Sequence, residues 1–370
     1  MTTVKDVIKL FEKWVPITLA ESWDNVGLQI GSKNQPVHKL MITLDVVEEV
    51  VDEAVEGGVD MIIAHHPLLF KGIKSIDFSS PKGRVIQKLI QHNISVYAAH
   101  TNLDVVEGGV NDWLAERLEL QYTKVLVPTT EESLLKFVVY VPRTHVTEML
   151  AALGEADAGH IGNYSHCSYR GEGTGAFKPL EGSDPFIGKE YKMEEVEESK
   201  VETIIKKSQL SQVLQAAQKA HPYEEMAYDL LPLANKGEKR GLGRIGTVKQ
   251  PITLANYASL VKEQLQVPTL RYVGDPEQLI KKVAVLGGSG KGFIDAAKHA
   301  GADVYVTGDL TFHDAQDAEQ AGFSLIDPGH HVEEVMKQGV KRFFSDHMEQ
   351  LPNRIEIKAS KLSTEPFRFI

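Results

Sequence analysis

DMIIAHHPLLF, residues 60–70, is the stretch from which the fold can be read. Its apolar run is short enough for a strand and apolar at consecutive positions, as a strand buried on both faces of a parallel sheet should be. Pro67 lacks the N–H that a central ladder needs, so His65 and His66 are placed at the strand's exit. Open α/β sheets bind ligands at that edge, outside the carboxyl ends of their strands. Neighbouring side chains in a regular strand face opposite ways, so both imidazoles can serve one ion only if the chain turns there. Two ions side by side account for the pair more simply. The dipeptide alone also fits a strand end capped by hydrogen bonds.

Outward from this stretch, strand and helix patterns alternate. LMITLDV (40–46) and ISVYAAHTNLD (94–104) read as the neighbouring strands, with VEEVVDEAVEGG (47–58) and GRVIQKLIQH (83–92) as intervening helices. The same grammar returns in VAVLGG (283–288), DVYVTGD (303–309) and FSLIDPGHH (323–331). Between the two halves the order is different. LLKFVVYVP (134–142), a helix over 144–156, one or two strands bent at Gly171 to Gly175, KVETIIKKS (200–208), a helix over 208–222 and EEMAYDLLPL (224–233) give β-α-β-β-α-β. That is the order of a ferredoxin-like domain. The expected architecture is therefore an α/β domain in two halves, residues 1–128 and 237–370, interrupted by a ferredoxin-like insertion at 129–236. Asn235 to Gly246, Gly-rich, charged and without apolar periodicity, reads as the return linker.

The second parallel strand ends in His100 and, four residues later, Asp104, which should reach the same edge. A carboxylate can bridge two metal ions and an imidazole nitrogen cannot, so Asp104 is the better ligand candidate; His100 suits orienting a ligand or touching substrate. Near the other end, GHHVEE places His330, His331, Glu333 and Glu334 at a predicted helix start. His330 and Glu334 are four apart and share a helical face, whereas His331 and Glu333 are rotated away from that pair. His331 with Glu334, three apart, also shares a face and stays open as an alternative. The predicted metal ligands are thus His65, His66, Asp104, His330 and Glu334. Imidazoles mixed with carboxylates suit zinc, with iron or manganese next, better than magnesium. Five side chains leave positions open on two ions, which is where water is activated in two-metal hydrolases.

Other stretches are candidates for shaping a pocket. Gly288, Ser289 and Gly290 follow a strand and could offer backbone amides to a phosphate, although GGSGKG matches neither the Walker nor the dinucleotide spacing. His313, in VTGDLTFHDA, is a further candidate beside the metals. Trp23, Asp24 and Asn25 could line a site with an aromatic wall and hydrogen-bonding groups; a core tryptophan next to an Asx turn reads the same. HPYEE (221–225) is explained by a turn.

Bulk properties narrow the function classes. Forty Lys and Arg against 51 Asp and Glu give a net charge of −11, which disfavours general binding of a phosphate backbone. The one cysteine, Cys167, rules out an internal disulfide and a thiolate zinc cluster and suits a reducing compartment. No apolar run is long enough for a membrane span, and the first helix is amphipathic, unlike a signal peptide, so the expected location is the cytoplasm with no membrane partner.

Taken in order, SWDNVGLQIG, ITLDV, AHHPLLFKG, HTNLD, GGSGKG, TGDLTFHDA and GHHVEE resemble the Ngg-interacting-factor family, whose bacterial members are commonly described as GTP cyclohydrolase I type 2 homologues. The resemblance spans nearly the whole chain. It implies a dinuclear site on His65, His66, Asp104, His330 and Glu334, a middle domain similar to PII and CutA proteins, and a toroidal homohexamer. It also implies a metal-dependent hydrolase on a nucleotide or other small molecule, the named reaction being opening of the GTP imidazole ring with release of formate. The alternatives are a non-catalytic metal-binding regulatory protein and a two-metal phosphoesterase.

Overall fold

The chain opens, in the computed structural model that describes residues 1–370, with α1 (Val4–Trp14). Thr3 and Asp6 close a reciprocal capping box at its start, and Val4, Val7, Ile8 and Phe11 form its buried stripe. β1 (Gly27–Ile30), β2 (Lys39–Thr43), α2 (Glu48–Glu56), β3 (Met61–Ala64), α3 (Pro81–Gln91), β4 (Ser95–Ala98), α4 (Thr101–Val105) and α5 (Val110–Arg117) follow. β5 (Gln121–Pro142), α6 (Val146–Glu155), β6 (Ser168–Phe177), β7 (Glu194–Lys206), α7 (Leu210–Ala220) and β8 (Tyr228–Thr253) make the middle. The chain ends with α8 (Leu254–Gln264), β9 (Arg271–Val273), β10 (Leu279–Ser289), α9 (Ile294–His299), β11 (Val304–Gly308), α10 (Phe312–Gln320), β12 (Ser324–Asp327), α11 (Val335–Asp346) and β13 (Glu356–Ala359). Two compact units result, one from Met1–Thr130 with Arg240–Ile370, the other from Glu131–Lys239.

The first unit is mixed α/β. One sheet runs β1-β4-β3-β2-β13, parallel except for the edge strand β1. In the other, β10, β11 and β12 are parallel, flanked by β8 and β9 in antiparallel pairing. Alternation decides what each strand residue touches. Leu40, Ile42, Met61, Ile63 and Tyr97 of the first sheet, and Val283, Val285, Val304, Val306 and Ile326 of the second, join one core with the apolar faces of α1, α5, α8 and α11. Met41, Ile62 and Val96 turn the other way onto α2 and α3, and Ala284, Leu286, Tyr305 and Leu325 onto α9 and α10. Strands buried on both sides stabilise strongly, each Val, Leu or Ile side chain contributing about 1.5–3 kcal/mol. α5 and α11 approach so closely that a Cβ on Gly339 would collide with the Trp113 indole. Arg244, 4% exposed, ties β8 to α5 by a forked pair with Asp112, Nη2 to Oδ2 at 2.7 Å, and donates to the carbonyls of Val106, Gly241 and Gly243.

In the second unit α6 and α7 pack on one face of the sheet around Phe137, Val139, Val141, Val201 and Ile205. β7 pairs antiparallel with both β5 and β6, and the strand order is β6-β7-β5-β8. One expectation fails here: Asn235 to Gly246 is no loose linker but lies wholly within β8. Its glycines serve close strand approach, since a Cβ on Gly237 would strike the Glu132 carbonyl, and one on Gly241 the Val127 carbonyl. A strand can lack apolar periodicity when ladder hydrogen bonds satisfy its backbone.

Candidate metal centre

Parallel strands align their carboxyl ends, and five of them in the first unit converge here. Beyond β3, His65 N–H and His66 N–H still donate to Thr43 and Leu44 of the neighbouring strand, so the chain stays extended and the two rings diverge, 5.2 Å apart. His65 is fully buried, its Nδ1 held 2.8 Å from the Ala99 carbonyl. That contact makes Nδ1 the donor and turns Nε2 toward two carboxylates, which raise the imidazole pKa against the effect of burial. Nε2 lies 3.6 Å from Asp104 Oδ1 and 3.7 Å from Glu333 Oε1. Both His65 Nε2 and Asp104 Oδ1 are shut from solvent without a hydrogen-bond partner. Such orphans are costly unless something else occupies them. Two donors bound to one zinc-like ion at ~2.0–2.1 Å stand ~3.4 Å apart, so this spacing, too long for a hydrogen bond, fits joint coordination.

A second group lies alongside. His66 Nε2 and His330 Nε2 are each 3.1 Å from Glu333 Oε2 and 3.3 Å from one another. Asp45 Oδ1 holds His66 Nδ1 at 2.7 Å, and Asp309 Oδ2 holds His330 Nδ1 at 2.8 Å. Carboxylates behind imidazoles in this way fix ring orientation and raise ligand basicity in metal sites. Glu333 is common to both groups, offering Oε1 to one and Oε2 to the other.

This geometry corrects the choice made on helical spacing. Glu334 turns outward and pairs with Lys337 at 2.9 Å, and Glu333, 3% exposed, takes the position beside the histidines. The reason is local: His330–Glu334 forms a 3-10 turn, in which residues three apart eclipse, so His330 meets Glu333. His331 faces the Thr364 hydroxyl, 3.3 Å away. Asp104 belongs to a single group, and the carboxylate shared by two groups is Glu333.

The electrostatics call for a cation. Burial opposes charge on Glu333, but its contacts with His330 and His65 outweigh that and hold the carboxyl well below its usual range. Burial pushes Asp104 up to about 6 against the pull of His65. For His66, burial is outweighed by Asp45 and Glu333, and its pKa rises to about 10. Glu333 likewise lifts His330 to about 9 over the effect of burial. Buried carboxylates here need positive charge, which protons or divalent ions can supply.

His100 stands next to both groups, its ring 5.2 Å from that of His65, with Nδ1 held 3.0 Å from Asp24 Oδ1. Burial would raise the Asp24 carboxyl, but bonds from His100 and Thr101 overcome it and bring it to about 2. Trp23 and Phe70, both exposed, set their rings 5.9 Å apart and each 6.2 Å from His100. They edge a cavity of about 660 Å³ reached also by His66, Asp104, His330, Glu333 and Ser289. Asn25 instead donates to the Leu69 carbonyl and braces that loop. Gly288, at φ +61°, leaves room for Glu333, whose carboxylate a Cβ there would strike; Gly290 packs under Thr307 and Tyr305. His313 is an exposed residue of α10 against Phe312, away from the cavity. Asp45 went unread in the sequence although it follows a parallel strand within ITLDV.

The model of the Duf34/NIF3 family (NGG1p interacting factor 3) matches residues 2–366. The chain is 50% identical over 366 residues to the GTP cyclohydrolase 1 type 2 homolog of Bacillus subtilis, covering 99% of this chain and 98% of that one. Its identity to the protein of that name in Listeria innocua is 41% over 361 residues, 97% of each. Among solved structures, a Bacillus cereus protein related to NIF3 superposes with a TM-score of 0.94 at 50% identity, covering 100% of this chain and 99% of the other. A Staphylococcus aureus protein gives 0.76 at 36% identity, with 100% and 99% covered. With a family match across nearly its full length and relatives at half identity, this chain belongs to the NIF3 family.

Proposed function

We propose that the chain is a dinuclear metal-dependent hydrolase of the GTP cyclohydrolase-like kind, with zinc, iron or manganese held by His65, Asp104 and Glu333 in one position and His66, His330 and Glu333 in the other. The observation that carries the reading is the facing pair of buried, unpartnered atoms, His65 Nε2 and Asp104 Oδ1, 3.6 Å apart. Two such ions, when bound, polarise a substrate oxygen and activate water near neutral pH. The chain's own residues do the rest. Asp45 and Asp309 accept from Nδ1 of His66 and His330 and so present Nε2 of each to an ion that would take the place of its proton, while Asp24 orients His100 toward the cavity. Trp23, Phe70 and His100 give a flat heterocycle edges and faces to rest on.

The candidate reaction is hydrolytic opening of the GTP imidazole ring with formate release. No Lys or Arg side chain lines the cavity, so guanosine is assayed beside GTP. Metal-loaded protein should release formate from one of them, and Asp104→Ala should abolish this while retaining the circular dichroism of the parent. Metal bound without consumption of either compound would remove the reaction and favour the regulatory reading. We also read the second unit, with its β-α-β-β-α-β order and strand order β6-β7-β5-β8, as a ferredoxin-like insertion of the PII/CutA type, and the assembly as a homohexamer. Sedimentation of the purified chain tests the hexamer.

A further inference from the structure

The HPYEE turn, residues 221–225, takes no part in the metal centre. Within the second unit it closes one side of a separate cavity of about 700 Å³, floored by β6 and β7 and overhung by the segment from Lys178 to Ile187. Gly171, Gly173 and Gly175 fall on alternate positions of β6 and so share one face, leaving the floor bare at the first two while the Glu198 carboxylate lies over the third. They lie across from Lys200, Glu198 and Val196, on the side of the sheet opposite the buried Val201. A Cβ on Gly171 or Gly173 would meet nothing within 4 Å. Glycine inside a strand sacrifices packing and costs about 0.5–1 kcal/mol in chain entropy, and it often marks a place where something lies close to the backbone.

The walls are aromatic and the interior is acidic. The Tyr223 ring stands 5.7 Å from Phe177 and 6.3 Å from Phe186. His221 fixes this turn: its Nε2–H donates to the Tyr140 carbonyl at 2.8 Å and its Nδ1 accepts from Tyr223 N–H at 3.0 Å. The Tyr223 hydroxyl is shielded from solvent and has no hydrogen-bond partner. Glu198 sits near it, and burial first, then that carboxylate, push the phenol upward. Lys178 and Lys200 also line the cavity, but Lys200 is engaged 2.6 Å from Glu202, and with Glu172, Glu198, Glu224 and Glu225 the lining carries more carboxylates than ammonium groups.

We propose that this cavity binds a small organic cation, an ammonium, amidinium or guanidinium carried on a flat apolar body. Ring faces attract a cation, Glu198 neutralises it, and the Tyr223 oxygen accepts from its N–H. The volume is that of an ordinary small-molecule site.

The test is calorimetric titration of the full-length protein with benzamidine, using neutral benzamide and anionic benzoate as shape-matched controls. Benzamidine should bind saturably and at least ~10-fold more tightly than benzamide, a difference of about 1.4 kcal/mol. Glu198→Gln should bring benzamidine down to the benzamide level. Gly173→Val, which fills the floor at an exposed strand position, should abolish binding without altering metal content. Absence of saturable benzamidine binding, equal binding of benzamide, or binding unchanged in Gly173→Val would each overturn the proposal. None of these outcomes depends on turnover at the metal centre.

Discussion

Replacing Glu333 by Gln separates the two candidate carboxylates of the GHHVEE turn. The substitution keeps the side chain's volume and removes its charge where Oε1 lies 3.7 Å from His65 Nε2 and Oε2 lies 3.1 Å from both His66 and His330. Removing a group that merely orients a ligand costs ~10–100-fold in metal affinity. Glu333 faces both donor groups directly, so at least the upper figure, ~100-fold or about 2.7 kcal/mol, is expected at each position. The assay is metal content by mass spectrometry after dialysis against chelators of graded strength, run beside Glu334→Gln. The parent should retain about two ions per chain. Glu333→Gln should lose both at a chelator strength the parent withstands, and Glu334→Gln, whose carboxylate is spent on Lys337 at the surface, should behave as the parent. Loss of metal from Glu334→Gln with retention in Glu333→Gln would refute the assignment.

Asp24 links the site to acid stability. Its carboxyl is fully shielded from solvent and is lowered from 3.8 to about 2, burial being outweighed by the bonds from His100 and Thr101, so it contributes about 2 kcal/mol above pH 4 that is lost as pH falls toward 2. Urea unfolding should therefore show Asp24→Asn less stable than the parent at pH 6, with the gap narrowing below pH 3; a gap that widens on acidification would contradict this. Arg244→Met leaves the Asp112 carboxylate with only the Gly108 N–H, takes the guanidinium from several carbonyls, and should destabilise by about 3–5 kcal/mol in the same assay. Gly288→Ala forces a Cβ at φ +61° against the Glu333 carboxylate and should weaken metal binding at least ~10-fold while leaving the far-ultraviolet circular dichroism unchanged. An alanine variant with unaltered metal content would show that Glu333 is not held where the turn places it.

The sequence made the strand exits legible and the side-chain directions less so. LMITLDV, DMIIAHH and the start of ISVYAAHTNLD do form β2, β3 and β4, because apolar runs this short, bounded by helical patterns and turn residues, have few other ways to bury both faces. Asp45, His65, His66, His100, Asp309 and His330 all follow the carboxyl end of a parallel strand. Residues more than 260 positions apart, such as His66 and His330, therefore arrive at one place for a reason that needs no knowledge of the residues between them. Direction at the last step is a different matter. HHVEE could continue as an α-helix, pairing His330 with Glu334, or tighten to a 3-10 turn, pairing it with Glu333. No propensity in five residues separates those windings. The tighter one buries Val332 and Glu333 together after Gly329 enters at φ +90°. Register within a single turn is decided by tertiary packing, so a motif can bring its residues to one place without fixing which neighbour faces the histidines.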